Sequence, residues 1–163
     1  MKKLYSLSSL QKIIKQEKRT GKTVVLVNGC FDLIHIGHIR YLKESRKKGD
    51  ILVLALNSDS SIRKLKGEGR PILPRNERIE ILSSFSWVDY ITVFGEKNVK
   101  KVLLALHPDI HAKGSDYTKD TVPERETVRD YGGTTAITGG PKVRSTSQII
   151  QHIAARIKHP NSV

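Results

Sequence analysis

Short apolar runs alternate along the chain with segments in which apolar residues recur every three or four positions. The runs at residues 24–27 and 51–56 are continuous and rich in Val, Leu and Ile. Such runs are typical of strands buried on both faces of a parallel sheet. Shorter runs predict three further strands. The five predicted strands cover residues 24–27, 51–56, 90–94, 109–112 and 135–137.

The segments between these runs have the periodicity of amphipathic helices. Either Ser8 or Ser9 can cap the first helix, and Gly21 can end it. In the last segment four isoleucines, at positions 149, 150, 153 and 157, align on one helix face. The predicted helices cover residues 8–20, 37–48, 74–85, 99–106, 121–131 and 146–157.

This alternation predicts an α/β fold, a five-stranded parallel sheet with helices on both faces. The chain has 163 residues and no internal repeat or linker. We therefore expect a single domain over residues 1–163, with an N-terminal helix at about 8–20 and a core at 24–157.

Polar clusters follow three of the predicted strands, at residues 28–38, 57–59 and 113–117. Ligands of parallel α/β sheets bind beyond the carboxyl ends of the strands, so these clusters are expected to share one rim. The cluster at 57–59 is expected to open a loop that contains Lys66.

Composition narrows the class of protein. Apolar residues make up 37% of the chain and charged residues 28%, as in folded soluble proteins. No apolar run approaches the ~20 residues of a membrane span, and the N-terminus lacks the apolar region of a signal peptide. The single cysteine, Cys30, cannot form an internal disulfide, which favours a cytoplasmic location.

The formal net charge is +13 and the sequence pI is about 10.0. Nucleic acid or an anionic membrane surface could be the partner, the substrates could be polyanionic, or the surface could simply be rich in lysine. The basic clusters lie on or beside predicted helices and have no interleaved aromatic residues as stacking platforms. This pattern disfavours nucleic-acid binding as the main function.

The stretch at residues 28–38 joins the first predicted strand to the second predicted helix. Gly29 can adopt backbone angles that other residues avoid, and Gly37 allows a ligand to approach the backbone. His35 and His38 can point to the same side of the helix start, where unpaired N–H groups favour an anion. The histidines could instead serve only as a helix cap, but the combination favours phosphate chemistry. No further residues in ligand spacing accompany them, so no metal site is predicted.

The motif Gly29-Cys30-Phe31-Asp32-x-x-His35-x-Gly37-His38 resembles the signature of the cytidylyltransferase-like nucleotidyltransferase superfamily, which has a Rossmann-like fold. Three further segments resemble motifs of that superfamily, and together the matches span residues 24–157. These segments are Lys66-Gly67, Arg75-Asn76-Glu77-Arg78 and Arg144-Ser145-Thr146-Ser147.

The resemblance implies a role for each matching residue. His35, His38 and Lys66 would be catalytic: His38 would donate to the α-phosphate, His35 would steady the β- or γ-phosphate, and Lys66 would bridge the phosphates from a flexible loop. Arg78, and less directly Arg75, would bind phosphate, although both could equally be solvated helix-start residues. The implied nucleotide-binding residues are Gly29, Cys30, Phe31, Gly37, Arg78, Lys113, Gly114, Asp116, Arg144, Ser145, Thr146 and Ser147.

Within the superfamily, residues 65–72, 113–117 and 131–133 resemble the adenylyltransferases of ADP-heptose synthesis, which serve lipopolysaccharide formation. The resemblance implies transfer of AMP from ATP to heptose 1-phosphate, giving ADP-heptose and pyrophosphate. It also implies Mg²⁺ bound with the triphosphate and a homodimer. A cytidylyltransferase that uses CTP and glycerol 3-phosphate or another phospho-alcohol is the first alternative. A basic nucleic-acid-binding module is the second.

Overall fold

The computed structural model describes residues 3–141 and 144–158 of the chain. Its five strands are β1 Val24–Gly29, β2 Ile51–Asn57, β3 Tyr90–Phe94, β4 Ile110–Gly114 and β5 Thr134–Thr138. All pair in parallel in a single sheet with the order β3-β2-β1-β4-β5. The predicted α/β fold with a five-stranded parallel sheet is confirmed.

Seven α-helices and a short 3-10 helix at Lys119–Thr121 lie within the described ranges. The α-helices are α1 Leu7–Arg19, α2 Ile36–Arg46, α3 Asp59–Lys66, α4 Arg75–Ser83, α5 Lys100–Leu106, α6 Arg125–Asp130 and α7 Thr146–Lys158. None of these helices is long and apolar enough to cross a membrane.

Helices cover both faces of the sheet because successive strand side chains point to opposite sides. On one face, Leu26 and Val53 pack with buried residues of α1, α5 and α6. On the other face, Val27 and Leu54 pack with buried residues of α2 and α4. The continuous apolar runs of β1 and β2 thus supply two cores at once, which is why these strands do not alternate with polar residues.

Most predicted helices match the structure to within two residues at each end, and three of the differences have a clear physical cause. Helix α1 begins one residue earlier, because the Ser6 side chain accepts a hydrogen bond from the Ser9 N–H and caps it. The helix predicted at residues 121–131 is divided into the 3-10 helix and α6. Val122 between them is extended, as residues before a proline usually are, since the ring of Pro123 crowds the helical conformation.

The third difference is α3, which occupies part of the predicted loop after β2. Ser58 caps this helix by accepting from the Ser61 N–H, and Asp59 stands in its first turn. The helix has only two turns, and Ile62 is its one buried apolar residue. A helix this short gives little periodicity to detect. Its consequence is that Lys66 is the last residue of a helix, instead of lying within a flexible loop.

Strand β1 is at the centre of the sheet, and later strands are added on both of its sides. Strands β2 and β3 extend the sheet on one side, after which the chain crosses back to place β4 and β5 on the other side. The carboxyl ends of β1 and β4 therefore form the point at which the strand order reverses. In open parallel sheets a crevice forms at this point and holds the ligand.

Candidate active site

A cleft of about 480 Å³ opens at the carboxyl ends of β1 and β4. The turn from β1 to α2 forms its floor, the end of α3 and the following loop form one wall, and the segments after β4 and β5 form the other. All but one of the site residues predicted from the sequence line this cleft. These are Gly29, Cys30, Phe31, His35, Gly37, His38, Lys66, Lys113, Gly114, Asp116, Arg144, Ser145, Thr146 and Ser147.

The floor of the cleft contains an unusual backbone turn at Phe31. This residue has a φ of 46°, in the left-handed region that non-glycine residues seldom adopt. Its ring is buried and stacks on Tyr41, with 6.2 Å between the ring centroids. A Cβ at Gly29 would lie 3.1 Å from that ring, so the small residue allows the ring to fold back beneath the turn. Strain of this kind is concentrated at functional sites.

His35 is the N-cap of α2. Its Nδ1 accepts a hydrogen bond of 3.1 Å from the Gly37 N–H, which leaves the proton of the neutral ring on Nε2. A Cβ at Gly37 would come within 2.9 Å of the His35 ring, so a side chain at this position would force the ring to move. The capping role considered from the sequence is therefore real, and His35 also lines the cleft. The two roles coexist.

His38 stacks on His35 with 3.9 Å between the ring centroids. Burial lowers the pKa of His38 to about 4, and the neighbouring His35 ring acts in the same direction. Burial also lowers the pKa of His35. Both rings are therefore neutral hydrogen-bond donors at neutral pH in the free protein. An anion in the cleft would oppose this effect by favouring protonation.

The N-terminus of α7 faces the cleft from the opposite wall. Ser145 Oγ accepts from the Gln148 N–H, and Gln148 Oε1 accepts from the Ser145 N–H at 2.7 Å, so the helix start is capped reciprocally. Thr146 Oγ1 lies 3.5 Å from the Leu33 carbonyl oxygen, which connects this helix to the turn after β1. Two helix N-termini, those of α2 and α7, consequently approach the same space and favour negative charge there.

A buried polar group lies at the point where the strand order reverses. His111 Nε2 is 3.0 Å from the side-chain oxygen of Asn28, and Lys113 Nζ donates to the same oxygen at 3.4 Å. Glu124 approaches Lys113 to 3.9 Å. Burial lowers the pKa of Lys113, which the Glu124 carboxylate opposes, and burial lowers the pKa of His111 to about 3. Asn28 and Lys113 also line the cleft, so this cluster of buried polar side chains borders the ligand space.

Arg78 is the exception among the predicted site residues, and its placement corrects the prediction that it binds phosphate. Its side chain is fully buried and lies outside the cleft. The guanidinium donates to the carbonyl oxygens of Leu73, Cys30 and Asn57 and to the Asp59 carboxylate. Because these acceptors occupy its planar fork, Arg78 connects the ends of β1 and β2 to the start of α3 instead of contacting a ligand. Asn57 and Asp59 accept these hydrogen bonds from Arg78. Residues 57–59 do not line the cleft, so the prediction that they share its rim is wrong.

Cys30 contributes backbone and not a reactive thiol. Burial raises the pKa of its thiol, and the nearby positive charges of Lys66, Arg78 and Arg70 oppose this only in part. A thiol that is protonated at neutral pH is a poor nucleophile. Its carbonyl oxygen accepts from Arg78 at 2.6 Å, which fixes the turn above the histidines.

Among the cleft residues that sequence reasoning did not single out, two are charged, Asp32 and Arg70. Asp32 is 1% exposed, and Arg70 Nε donates to its carboxylate at 2.7 Å. Asp32 lies within the predicted motif, and a carboxylate soon after a buried strand requires buried donors. That requirement was the available signal, but it does not identify a partner 38 positions away.

Comparison with known proteins agrees with this geometry. Residues 26–151 match the family model described as cytidylyltransferase-like. The chain is 47% identical over 148 residues to the bifunctional protein HldE of Syntrophotalea carbinolica, covering 91% of this chain and 30% of the relative. It is 47% identical over 151 residues to HldE of Geobacter sulfurreducens, covering 93% of this chain and 31% of the relative. The chain thus spans less than a third of the length of these relatives.

Solved structures share the fold. The crystal structure of the lipopolysaccharide core biosynthesis protein from Thermoplasma volcanium is 34% identical, with a TM-score of 0.61 over 72% of this chain and 94% of that one. The pantoate-beta-alanine ligase from Francisella tularensis has a TM-score of 0.66 at 15% identity, covering 90% of this chain and 69% of that one. The latter likeness concerns the fold alone.

Proposed function

Since this chain belongs to the cytidylyltransferase-like family and is a nucleotidyltransferase, we propose that it transfers AMP from ATP to heptose 1-phosphate. The products are ADP-heptose and pyrophosphate. One observation carries the proposal: His35, His38, Lys66 and the start of α7 converge on one cleft where the strand order reverses. The similarity to HldE and to a lipopolysaccharide core biosynthesis protein supports heptose as the sugar.

In this mechanism an oxygen of the sugar phosphate attacks the α-phosphorus in line. A bond forms from that oxygen to phosphorus, and the bond to the β-phosphate oxygen breaks, with its electron pair leaving on pyrophosphate. The attacking phosphate is already an anion at neutral pH, so no general base is required. Catalysis then depends on positioning and on stabilising negative charge.

Each side chain has a role that follows from its place. His38 donates to the α-phosphate, while His35 donates to the β- or γ-phosphate through the Nε2–H that its cap leaves available. Backbone N–H groups at the starts of α2 and α7 add fixed positive dipoles. Lys66, on the end of α3, reaches across the reacting phosphates. These roles are proposals that mutation can test.

Mg²⁺ fits this site as a companion of the triphosphate. Within residues 3–141 and 144–158, no three Asp, Glu, His or Cys side chains are grouped as a metal site. Asp116 is a carboxylate on the cleft wall, and the remaining oxygen ligands would come from phosphates and water. The ion would neutralise phosphate charge when bound.

A panel of nucleoside triphosphates and phosphate acceptors, followed by pyrophosphate release, tests the proposal. We expect release with ATP and heptose 1-phosphate. The cytidylyltransferase-like family model favours a second candidate, transfer of CMP from CTP, for which we propose glycerol 3-phosphate or another phospho-alcohol as the acceptor. Release with that pair and none with ATP and heptose 1-phosphate would contradict our proposal.

The same preparation also tests one accompanying proposal, the homodimer, and one rival. We propose that the protein is a cytoplasmic homodimer, and sedimentation at assay concentration would give twice the monomer mass of 18.3 kDa. The rival is a nucleic-acid-binding module without catalysis. It predicts salt-dependent DNA or RNA binding that survives His38→Ala.

A further inference from the structure

The loop between α3 and α4 is attached to the cleft by one buried carboxylate. Asp32 is 1% exposed and accepts hydrogen bonds from the Ile72 N–H at 2.8 Å and the Leu73 N–H at 2.9 Å. The same carboxylate accepts from Arg70 Nε at 2.7 Å. Asp32 lies three residues after the end of β1, so the loop is held against the turn that carries the two histidines.

This arrangement fixes one edge of the Arg70 guanidinium on Asp32 and leaves the other edge available to a ligand. The Nε edge is fixed on Asp32, and the Arg70 side chain is 15% exposed and lines the cleft. In the part of the chain that the structure describes, neither Nη nitrogen of Arg70 has a hydrogen-bond partner. A guanidinium held in this way is preorganised for phosphate, because its remaining N–H groups lie in one plane.

Arg78 provides the contrast within the same region. Its guanidinium is wholly occupied by protein oxygens and is 0% exposed. Arg70 shares the neighbourhood of Cys30, yet its donors are only partly used. The pairing with Asp32 also orients the side chain, so binding a ligand costs little additional conformational entropy.

The position of Arg70 relative to the sheet indicates which of the two substrates it would contact. The loop that carries it follows α3 and lies on the β2 side of the central strand β1. Lys113 and Asp116 follow β4, on the other side of β1, and the start of α7, which follows β5, contacts the turn after β1 through Thr146. A nucleoside triphosphate placed between the histidines and α7 occupies the second side, so the other phosphate-bearing substrate enters along the first.

We propose that the Nη edge of Arg70 binds the phosphate of the acceptor substrate, and that Asp32 is the positioning residue that aims it. This rests on the proposed nucleotidyl transfer. Arg70 would hold the phosphate whose free oxygen attacks, next to Lys66 on the same wall of the cleft. The recognised group is a phosphate monoester, which heptose 1-phosphate and glycerol 3-phosphate share.

Steady-state kinetics of Arg70→Ala and Arg70→Lys test the assignment, with Arg63→Ala, an exposed cation of α3, as the matched control. Loss of charge-assisted hydrogen bonds predicts a rise of about 10- to 100-fold in KM for the acceptor in Arg70→Ala. KM for the nucleotide should change less than about threefold, because Arg70 is not expected to contact the nucleotide. Arg70→Lys should recover only part of the loss, because lysine has no planar fork. Guanidinium added to Arg70→Ala should restore part of the rate.

Asp32→Asn gives the second arm. We expect it to raise KM for the acceptor in the same direction, and to have no further effect when combined with Arg70→Ala. If Arg70→Ala raises both KM values equally, or lowers kcat alone, Arg70 only stabilises the loop and the proposal is overturned.

The assay uses whichever nucleotide and acceptor pair the wild-type protein turns over. Turnover of CTP and glycerol 3-phosphate alone refutes the heptose proposal but leaves the Arg70 comparison intact. If neither pair is turned over, calorimetric titration with heptose 1-phosphate still decides about Arg70. Wild-type binding that disappears in Arg70→Ala and persists in Arg63→Ala supports the assignment, whereas equal binding by all three, or none by the wild type, refutes it.

Discussion

His38 is an uncharged ring beside the space in which phosphates are expected. Burial keeps its pKa near 4, and the stacked His35 ring adds to the cost of protonation. A neutral imidazole donates one hydrogen bond and carries no fixed charge, so the free protein keeps no charged histidine in the cleft. Negative charge that develops during transfer would be stabilised more strongly than charge in the ground state. That difference is what accelerates a reaction.

The His38→Ala variant should therefore lose turnover while remaining folded. Loss of one donor to a developing charge costs about 10²- to 10³-fold in kcat. The matched control is His152→Ala, which removes an exposed histidine of α7. Pyrophosphate release gives kcat, and thermal melting followed by circular dichroism checks the fold. Wild-type turnover in His38→Ala would remove this residue from the mechanism.

Arg75 and Arg78 show how an element decides what a residue does. Both stand in the first turn of α4 and look alike in the sequence. Arg78 turns inward and is fully buried against the ends of β1 and β2, whereas Arg75 is exposed and its side chain donates to its neighbour Asn76. The difference arises from the side of the helix that faces the sheet.

Replacement of Arg78 should consequently affect stability far more than replacement of Arg75. Arg78→Met leaves the partly exposed Asp59 carboxylate and three carbonyl oxygens without their donor, and each buried acceptor left unsatisfied costs about 1–3 kcal/mol. Arg75→Met should change stability by less than about 0.5 kcal/mol, as exposed substitutions usually do. Urea unfolding of both variants measures the contrast. Equal losses would mean that the hydrogen bonds of Arg78 contribute little.

At this scale the sequence predicts the strands well and the connecting segments poorly. The runs of β1 and β2 are continuous because two cores need them, so they are visible without a structure. The motif around His35 and His38 is equally local. The contact between Asp32 and Arg70 is not local in the sequence, because Arg70 reaches Asp32 only after β2 and α3 have returned the chain to the same edge of the sheet. The inward turn of Arg78 depends on packing for the same reason.

The charge of the whole molecule exceeds what the cleft requires. The chain has 29 Lys and Arg residues, and among the residues that the structure describes four of them line the cleft, namely Lys66, Arg70, Lys113 and Arg144. The others add a long-range positive field that attracts anionic substrates and is screened by salt. A high positive charge also increases solubility and the rate at which anionic substrates are captured, so it does not by itself indicate nucleic-acid binding.

Two buried histidines make the stability of the whole fold depend on pH. The pKa values of His38 and His111 are lowered from 6.5 to about 4 and about 3. Below pH 6.5 the unfolded chain binds protons that the folded protein rejects, so stability falls as pH decreases, by up to about 1.4 kcal/mol per pH unit for each histidine. Above pH 6.5 this contribution is constant.

Urea unfolding at pH 7.5, 6.0 and 5.0 measures this slope. His111→Asn should be less stable than the wild type at pH 7.5 but should lose less stability between pH 6.0 and 5.0. His152→Asn, on the exposed face of α7, should keep the wild-type slope. A slope that is identical in His111→Asn and the wild type would assign the pH dependence to other groups.

The single crossing of the chain from β3 to β4 has a practical consequence. Residues up to β3 supply the histidines, Lys66 and Arg70, whereas β4, β5 and α7 supply the opposite wall. The crossing begins with residues 95–98, which are mostly exposed. A polypeptide cut there gives two fragments that each hold half of a cleft, so turnover would report their reassembly. The fold is thus a natural scaffold for a split-enzyme sensor, with the reaction itself as the signal that two fused partners have met.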